Sequence, residues 1–263
     1  MPLLFVAILL GLIEGVTEFL PVSSTGHLIL AARLLPSLGE GRAELFDIVI
    51  QSGAMLAVLG LYRRRFVGLL RPATESAFSG RRGVVALALG VLPALLVGYA
   101  LRHSIHDHRT PTVVAIALAA GGAALLLLET LRGDRGTLTV DQITPRIALG
   151  VGLFQCLALC PGVSRSAATI AGGMLLGLSR RGAAEFSFLL GAPILFAVSG
   201  YELVVHRDLL TRDTIGLVAV GFVVAAIAAT LAVRAFTAIL AKTTLAPFAW
   251  YRIALAAAVL WLM

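Results

Sequence analysis

Six apolar runs in this chain are each long enough to cross a lipid bilayer as a helix, and no other feature restricts the fold so strongly. They lie at approximately 44–62, 82–101, 111–131, 184–205, 214–233 and 246–262. A membrane-spanning helix needs about 20 residues. Charged residues make up 13% of the chain, whereas soluble domains carry about 25%. The sequence therefore predicts an all-α, polytopic membrane protein with one integral membrane domain over 1–263, and it excludes a soluble domain.

Two further apolar regions, 3–35 and 145–178, are interrupted near their middles. The interruptions read PVSSTG at 21–26 and PGVSRS at 161–166. After the first one, the apolar segment supplies only about 18 Å of helix, which is too short for a hydrocarbon core of about 30 Å. We expect both regions to form re-entrant helical hairpins. Irregular backbone at that depth must be surrounded by protein or by a wet cavity.

Arginine and lysine are distributed unevenly between the two sides of the predicted spans. Most of them lie in the loops that follow the first, third and fifth spans and in the segment just before the fourth. The positive-inside rule makes this side cytoplasmic, so hairpin 3–35 enters from outside and hairpin 145–178 from the cytoplasm. Membrane topology explains most of the formal charge of +7, and we expect no nucleic-acid partner.

The two interrupted regions also resemble each other. GLIEGVTEFLPVSST aligns with GLFQCLALCPGVSRS, which pairs Glu14 with Gln155 and Ser23 with Ser164. Similar segments inserted from opposite sides indicate an inverted-topology repeat, and such repeats place a site near the bilayer midplane. The two breaks are therefore expected to face one another. The predicted repeats cover approximately 1–105 and 145–263.

Two glutamates precede the first break within an apolar run. Glu14 and Glu18 are four residues apart, so on a helix they share one face with a rise of about 6 Å between them. Each charged carboxylate at membrane depth costs about 2.5–3.5 kcal/mol on insertion scales. A proton, a basic partner or a metal ion must offset this cost, unless the helix end lies in water at the interface.

The second break carries a cation and several hydroxyl groups at a predicted helix start. Arg165 lies between Ser164 and Ser166, and Thr169 follows one turn later. Backbone N–H groups at a helix N-terminus bind anions, and a guanidinium adds bidentate recognition of phosphate. This pattern predicts a phosphate site inside the membrane. A structural ion pair between Arg165 and a glutamate is the alternative, and the two interpretations are compatible.

Histidine and serine lie together at the first break. His27 follows Ser23, Ser24 and Thr25. Imidazole transfers protons near neutral pH, and a serine with a histidine nearby is typical of an activated nucleophile. We therefore interpret His27 as a candidate acid–base group rather than a packing residue.

Both motifs, EGVTEFLPVSSTGH and PGVSRSAAT in this order, resemble those of the undecaprenyl-diphosphate phosphatase family, the bacitracin-resistance type of integral membrane phosphatase. The resemblance extends over the whole chain, although Ala167 stands where the family commonly has glycine. It implies hydrolysis of undecaprenyl diphosphate to undecaprenyl phosphate and inorganic phosphate, which recycles the lipid carrier for cell-wall synthesis. It also implies a multi-pass protein of the bacterial inner membrane, surrounded by lipid, with a site that opens to the outer face. A homodimer is one option for its assembly.

The resemblance also assigns roles to individual residues. Glu14 and Glu18 match the acidic pair that is linked to a divalent cation, Mg²⁺ or Ca²⁺. Catalysis is expected of Glu18, Ser24, His27 and Arg165. Phosphate binding is expected of hydroxyl and guanidinium groups at both breaks: Ser23, Thr25, Ser164, Arg165, Ser166 and Thr169.

The main alternative function is a membrane transporter or flippase. Inverted repeats and broken helices are shared with secondary carriers, and the same pocket could move a phosphorylated lipid or a small anion. The dense set of serine, histidine, arginine and glutamate favours an enzyme, because anion binding alone needs fewer such groups. The residues leave the nucleophile open among Ser24, His27 and water.

Overall fold

The chain forms a bundle of helices in a computed structural model that describes residues 3–35, 42–72, 76–102, 110–205, 207–209 and 212–262. The helices in these ranges are α1 Leu3–Thr17, α2 Ser24–Leu34, α3 Arg42–Leu61, α4 Arg63–Leu69, α5 Gly80–Ala100, α6 Pro111–Leu131, α7 Pro145–Gln155, α8 Arg165–Leu175, α9 Arg180–Val205, α10 Arg212–Leu240 and α11 Ala246–Trp261. Within the described ranges, β pairing is limited to one isolated bridge between Leu138 and Leu178. The all-α prediction is confirmed.

Four helices, α5, α6, α9 and α10, are long and apolar enough to cross a membrane. A fifth span results if α3 and α4 are counted together, although the chain bends by 79° between them. The chain is therefore a multi-pass membrane protein. Helix α11 has 16 residues, fewer than the roughly 20 that a span needs. The number of six spans plus two hairpins stays a prediction.

Both interrupted regions form pairs of short helices. The first pair is α1 and α2, and the second pair is α7 and α8. A 3-10 turn at Cys156–Leu159 and an irregular segment lie between α7 and α8. Thr144 caps α7 by accepting a hydrogen bond from the Ile147 N–H at 3.3 Å, and Pro145 occupies its first turn. That position suits proline because its missing N–H would have no partner inside the helix.

Small residues let the hairpin helices lie close to their neighbours. Helix α1 packs on α10, where a Cβ on Gly11 would clash with the backbone of Gly221. Helix α7 packs on α5, where a Cβ on Gly152 would clash with the backbone of Gly90. Close backbone approach through glycine is common in membrane helix packing. Gly11 and Gly152 are also paired in the predicted repeat, which stays a prediction.

Aromatic rings form the core next to the first break. Phe19 packs edge-on against Phe188 with ring centroids 5.7 Å apart, and Phe188 contacts Phe236 at 6.0 Å. All three side chains are fully or almost fully buried. Edge-to-face pairs stabilise such a core beyond the area they bury. Phe19 directly follows Glu18 in sequence, so this core fixes the end of the segment that carries the acidic pair.

Ion pairs join the loops on the side of the bundle where α6 ends and α9 begins. Arg180 binds Glu129 with two hydrogen bonds of 3.0 and 2.8 Å. Arg65 contacts both Asp141 and Glu185, and its hydrogen bonds lower the pKa of the Asp141 carboxyl below its ordinary value. These pairs connect segments that lie far apart in sequence, and they lie outside the two breaks.

Candidate active site

The two breaks share an unusual backbone conformation. Ser23 precedes α2 with φ 70°, and Ser164 precedes α8 with φ 72°. Among the described residues other than glycine, they alone have positive φ. This conformation is costly for residues with a Cβ and is often found at functional sites. Ser23 and Ser164 are equivalent in the predicted repeat, so the two halves form the same local turn.

The breaks meet through contacts between side chains and backbone, as the sequence predicts. An Arg165 Nη2–H donates to Glu18 Oε1 at 3.0 Å. The Ser166 hydroxyl donates to the Leu20 carbonyl at 2.7 Å. Both contacts cross from one hairpin to the other over more than 140 positions of sequence. The end of the first hairpin helix is thus bound to the start of α8.

Glu18 is the centre of the polar network. Its Oε1 accepts from Arg165, and its Oε2 accepts from the Ser24 hydroxyl at 2.7 Å. Glu18 is buried, so its charge needs compensation by a cation. Arg165 supplies it, and the carboxylate in turn orients the hydroxyl of Ser24. A carboxylate bound to a serine hydroxyl at this distance can take its proton.

Arg165 keeps one donor without a partner. Its Nη1–H donates to the Ser187 carbonyl at 3.0 Å, and the guanidinium lies 5.4 Å from the centroid of the Phe19 ring. The Nε atom is buried and has no hydrogen-bond partner among the described residues. A buried donor without an acceptor is energetically costly. An anion at this position would satisfy it.

Glu14 is more isolated than Glu18. It is 1% exposed, and neither carboxylate oxygen has a hydrogen-bond partner among the described residues. A buried carboxylate without hydrogen bonds requires a proton or a cation. Oxygen ligands of this kind suit Mg²⁺ or Ca²⁺. The described residues contain no group of three or more histidine, cysteine, aspartate or glutamate side chains that could hold a metal ion, so a cation here would need further ligands from substrate or water.

His27 does not bind Ser24, which sequence reasoning took as its partner. Its Nδ1 lies 2.8 Å from the Ser23 carbonyl, and its Nε2 lies 2.7 Å from the Tyr251 hydroxyl. A carbonyl only accepts, so Nδ1 carries the proton and Nε2 accepts from the tyrosine. Tyr251 is an aromatic residue in an apolar helix, and its sequence context gives no signal of this contact.

The predicted phosphate-binding hydroxyls have different environments. Ser164 accepts from the Ala167 N–H at 3.3 Å, which caps α8. The Thr169 hydroxyl is buried and lies 2.7 Å from Ser187. Ser166 is buried and already donates to Leu20. Thr25 is exposed. Their contacts with phosphate stay a prediction, and Ser166 and Thr169 would have to leave protein partners to make them.

Arg252 is a buried cation that sequence reasoning left without a role. It is 0% exposed, and its donors reach four carbonyls at 3.2–3.4 Å. Two of these carbonyls belong to the breaks, Pro21 in the first and Gly162 in the second. Arg252 therefore binds both breaks at once. An arginine inside an apolar run was the available signal, because such residues are rare in membrane segments and usually functional.

Comparison with known proteins shows the family to which this chain is related. Residues 7–258 match the family described as bacitracin resistance protein BacA. Relatives named undecaprenyl-diphosphatase are 50% identical in Solidesulfovibrio magneticus over 254 residues, covering 96% of each chain, and 50% identical in Nitratidesulfovibrio vulgaris over 258 residues, covering 98% of this chain and 97% of the relative. A third, from Lawsonia intracellularis, is 43% identical over 255 residues, covering 96% of each chain. With its two breaks joined at Glu18 and Arg165 and a match over nearly its full length, this chain belongs to the bacitracin resistance protein BacA family.

Proposed function

We propose that this protein hydrolyses undecaprenyl diphosphate to undecaprenyl phosphate and inorganic phosphate. The relatives named undecaprenyl-diphosphatase support this activity. The observation that carries it is the contact of Ser24 and Arg165 with opposite oxygens of one buried carboxylate, Glu18. These contacts support a site in which Ser24 is the nucleophile, Glu18 the proton acceptor and Arg165 the phosphate-binding cation.

The diphosphate binds at the start of α8. Arg165 offers its unpartnered Nε to a phosphate oxygen, and the backbone N–H groups of the first helical turn favour an anion. The hydroxyls of Ser23, Thr25, Ser164, Ser166 and Thr169 are further donors to phosphate in this proposal, Ser166 and Thr169 after leaving their protein partners. The prenyl tail stays in the lipid, which suits a substrate that is apolar except at one end.

Ser24 is the nucleophile in this proposal. Its oxygen attacks the terminal phosphorus while its proton passes to Glu18, and the bond from that phosphorus to the bridging oxygen breaks. Undecaprenyl phosphate leaves with the bonding electron pair. Water then attacks the phosphoserine and gives one proton to His27. The bond from phosphorus to the Ser24 oxygen breaks, Glu18 returns its proton to that oxygen, and inorganic phosphate leaves. His27 then releases its proton to water, which restores the starting state. Arg165 stabilises the negative charge on the transferring phosphoryl group in both steps.

A divalent cation, Mg²⁺ or Ca²⁺, fits the acidic pair. Glu14 has two buried oxygens without partners, and Glu18 lies one helical turn away. These residues would hold the ion, with substrate and water completing its ligands. When bound, it would supply positive charge that neutralises phosphate oxygens. Glu14 itself would then no longer be an uncompensated buried carboxylate.

The location of the protein in the cell and its oligomeric state are also part of what we propose. The protein lies in the bacterial inner membrane with its site open to the outer face, where its lipid product would re-enter the carrier cycle. The resemblance of the two motifs to the family supports the outer face, because hairpins that enter from opposite sides would by themselves allow access from either one. A homodimer is part of the proposal as the assembly to test, and crosslinking in native membranes distinguishes it from a monomer.

Phosphate release tests the activity. The detergent-purified protein is incubated with undecaprenyl diphosphate, with and without a chelator, in the absence of any membrane gradient. We expect release of inorganic phosphate that the chelator suppresses and that added Mg²⁺ or Ca²⁺ restores. Movement of the lipid across vesicles without phosphate release would instead support a carrier.

Rapid-quench trapping tests the nucleophile. Substrate labelled in its terminal phosphate should leave label on Ser24, and the label should be absent in Ser24→Ala. Label on His27 would identify a phosphohistidine route. Absence of label in wild type and in slowed variants would favour direct attack by water.

A further inference from the structure

We propose that Tyr251 is a positioning residue for the reaction and that it acts through His27. This inference rests on the proposed phosphatase function. Tyr251 lies in α11, more than 220 positions from His27 in sequence, yet its hydroxyl is 2.7 Å from His27 Nε2. No motif at either break includes it.

Two hydrogen bonds hold the imidazole from opposite ends. Nδ1–H donates to the Ser23 carbonyl at 2.8 Å, and Nε2 accepts from the Tyr251 hydroxyl. Because both ring nitrogens are engaged, the ring cannot rotate without breaking a bond. The lone pair on Nε2 points to the Tyr251 hydroxyl until the attacking water takes that place, so Tyr251 sets the ring orientation from which Nε2 accepts a proton.

Ring packing adds to this restraint. The two rings are nearly parallel, with an interplanar angle of 11° and centroids 5.5 Å apart. Tyr251 is 48% exposed, so the hydrophobic core does not require its hydroxyl. A phenylalanine could keep the ring in place while removing the hydrogen bond to Nε2.

The neighbouring residue explains why α11 is suited to this task. Arg252 binds the carbonyls of Pro21 and Gly162, one in each break. Helix α11 is thereby fixed to the segment immediately before Ser23. Tyr251 extends from a helix whose place relative to the first break is already set, and it can align His27 with the serine turn.

Tyr251→Phe tests the inference. We expect kcat to fall about tenfold, as one hydrogen bond can account for, with KM changed less than about twofold because substrate binding is untouched. The matched control is Tyr99→Phe, which removes a hydroxyl from an exposed tyrosine that contacts Arg102. The control should keep wild-type kcat.

A double-mutant cycle separates alignment of His27 from a general structural effect. His27→Gln is expected to lower kcat by about 10²-fold or more. Adding Tyr251→Phe to this variant should lower kcat no further, because Tyr251 acts only through the His27 ring. Additive losses would overturn the proposal. So would an unchanged kcat in Tyr251→Phe or in His27→Gln.

Nitrogen NMR provides a readout that does not depend on activity. In ¹⁵N-histidine-labelled protein, with His27→Gln used for assignment, the wild-type Nε2 should give the signal of a hydrogen-bonded acceptor. Tyr251→Phe should move the ¹⁵N chemical shift of Nε2 towards the value of a nitrogen that accepts no hydrogen bond. Tyr99→Phe should leave this chemical shift unchanged. If wild-type protein releases no phosphate, the proposed function fails while this shift still tests the contact. If the shift is absent, the contact itself is overturned.

Discussion

The two hairpins form the same turn but carry different chemistry. Ser23 and Ser164 have nearly equal φ values of 70° and 72°. The residue after each serine begins a helix, and these equivalent positions hold Ser24 in the first hairpin and Arg165 in the second. Both side chains bind Glu18. The same backbone conformation thus presents a serine hydroxyl from one side and a guanidinium from the other.

The helices before the two breaks differ in a similar way. Glu14 in α1 has no hydrogen-bond partner on either carboxylate oxygen among the described residues, whereas the equivalent Gln155 in α7 donates to the Gly90 carbonyl at 2.9 Å. An amide is neutral and its burial costs less than that of a carboxylate. The second hairpin therefore satisfies its buried polar group at this position, whereas the first retains a buried carboxyl group without a hydrogen-bond partner among the described residues.

Arg165→Ala should have the largest effect, because it removes the contribution of the second hairpin. We expect kcat to fall by about 10³-fold or more, the loss typical of an arginine that stabilises transferring phosphate. Phosphate release by purified protein measures it, with monodispersity on size exclusion showing that the variant is folded. Arg33→Ala, which removes an exposed arginine from α2, is the control and should keep full activity. Substantial activity in Arg165→Ala would mean that the second hairpin does not supply the cation that stabilises the phosphoryl group.

Arg252→Met should affect both hairpins together. Methionine replaces the unbranched aliphatic part of the arginine side chain but has no donors for Pro21 and Gly162. One carbonyl in each break therefore loses its hydrogen-bond partner. We expect a loss of about 2–4 kcal/mol in stability and a lower kcat. Thermal unfolding in detergent measures the first quantity. Unchanged stability would show that the breaks are held by other contacts and that Arg252 does not join them.

Glu14→Gln should make the first hairpin resemble the second at this position. We expect turnover to fall by at least about tenfold and the divalent cation to bind more weakly. Stability in chelator should stay equal or rise, because a neutral amide replaces a carboxyl group that must take up a proton to be buried without a cation. Titration of activity with Mg²⁺ and thermal unfolding in chelator measure the two effects. The reciprocal Gln155→Glu should only destabilise. Unaltered cation dependence in Glu14→Gln would remove Glu14 from metal binding.

The long helices, the two breaks and the charged residues inside apolar segments could be predicted from the sequence. The apolar runs predict the long helices, and the proline and serine interruptions predict the breaks, because both depend on local composition. Glu14, Glu18 and Arg165 could be found because charge at membrane depth is costly. The pairing of Ser24 with Glu18 instead of His27 depends on how α2 is rotated, and the contact with Tyr251 depends on helix packing across the whole chain. Neither leaves a local pattern in the sequence.

The smallest expected effects come from the two serines with positive φ, and they test how alike the turns are. Alanine at either position keeps a Cβ and so leaves the backbone strain of the positive φ unchanged. Ser164 also caps α8 through the Ala167 N–H, whereas Ser23 makes no such bond. Ser23→Ala should therefore change stability by less than about 0.5 kcal/mol, and Ser164→Ala should lose about 1 kcal/mol, the usual cost of replacing a capping serine by alanine. Thermal unfolding of the two variants side by side measures the difference. Equal losses would show that capping does not distinguish the turns, and the asymmetry between the hairpins would then lie in their side chains at Glu14, Ser24 and Arg165 alone.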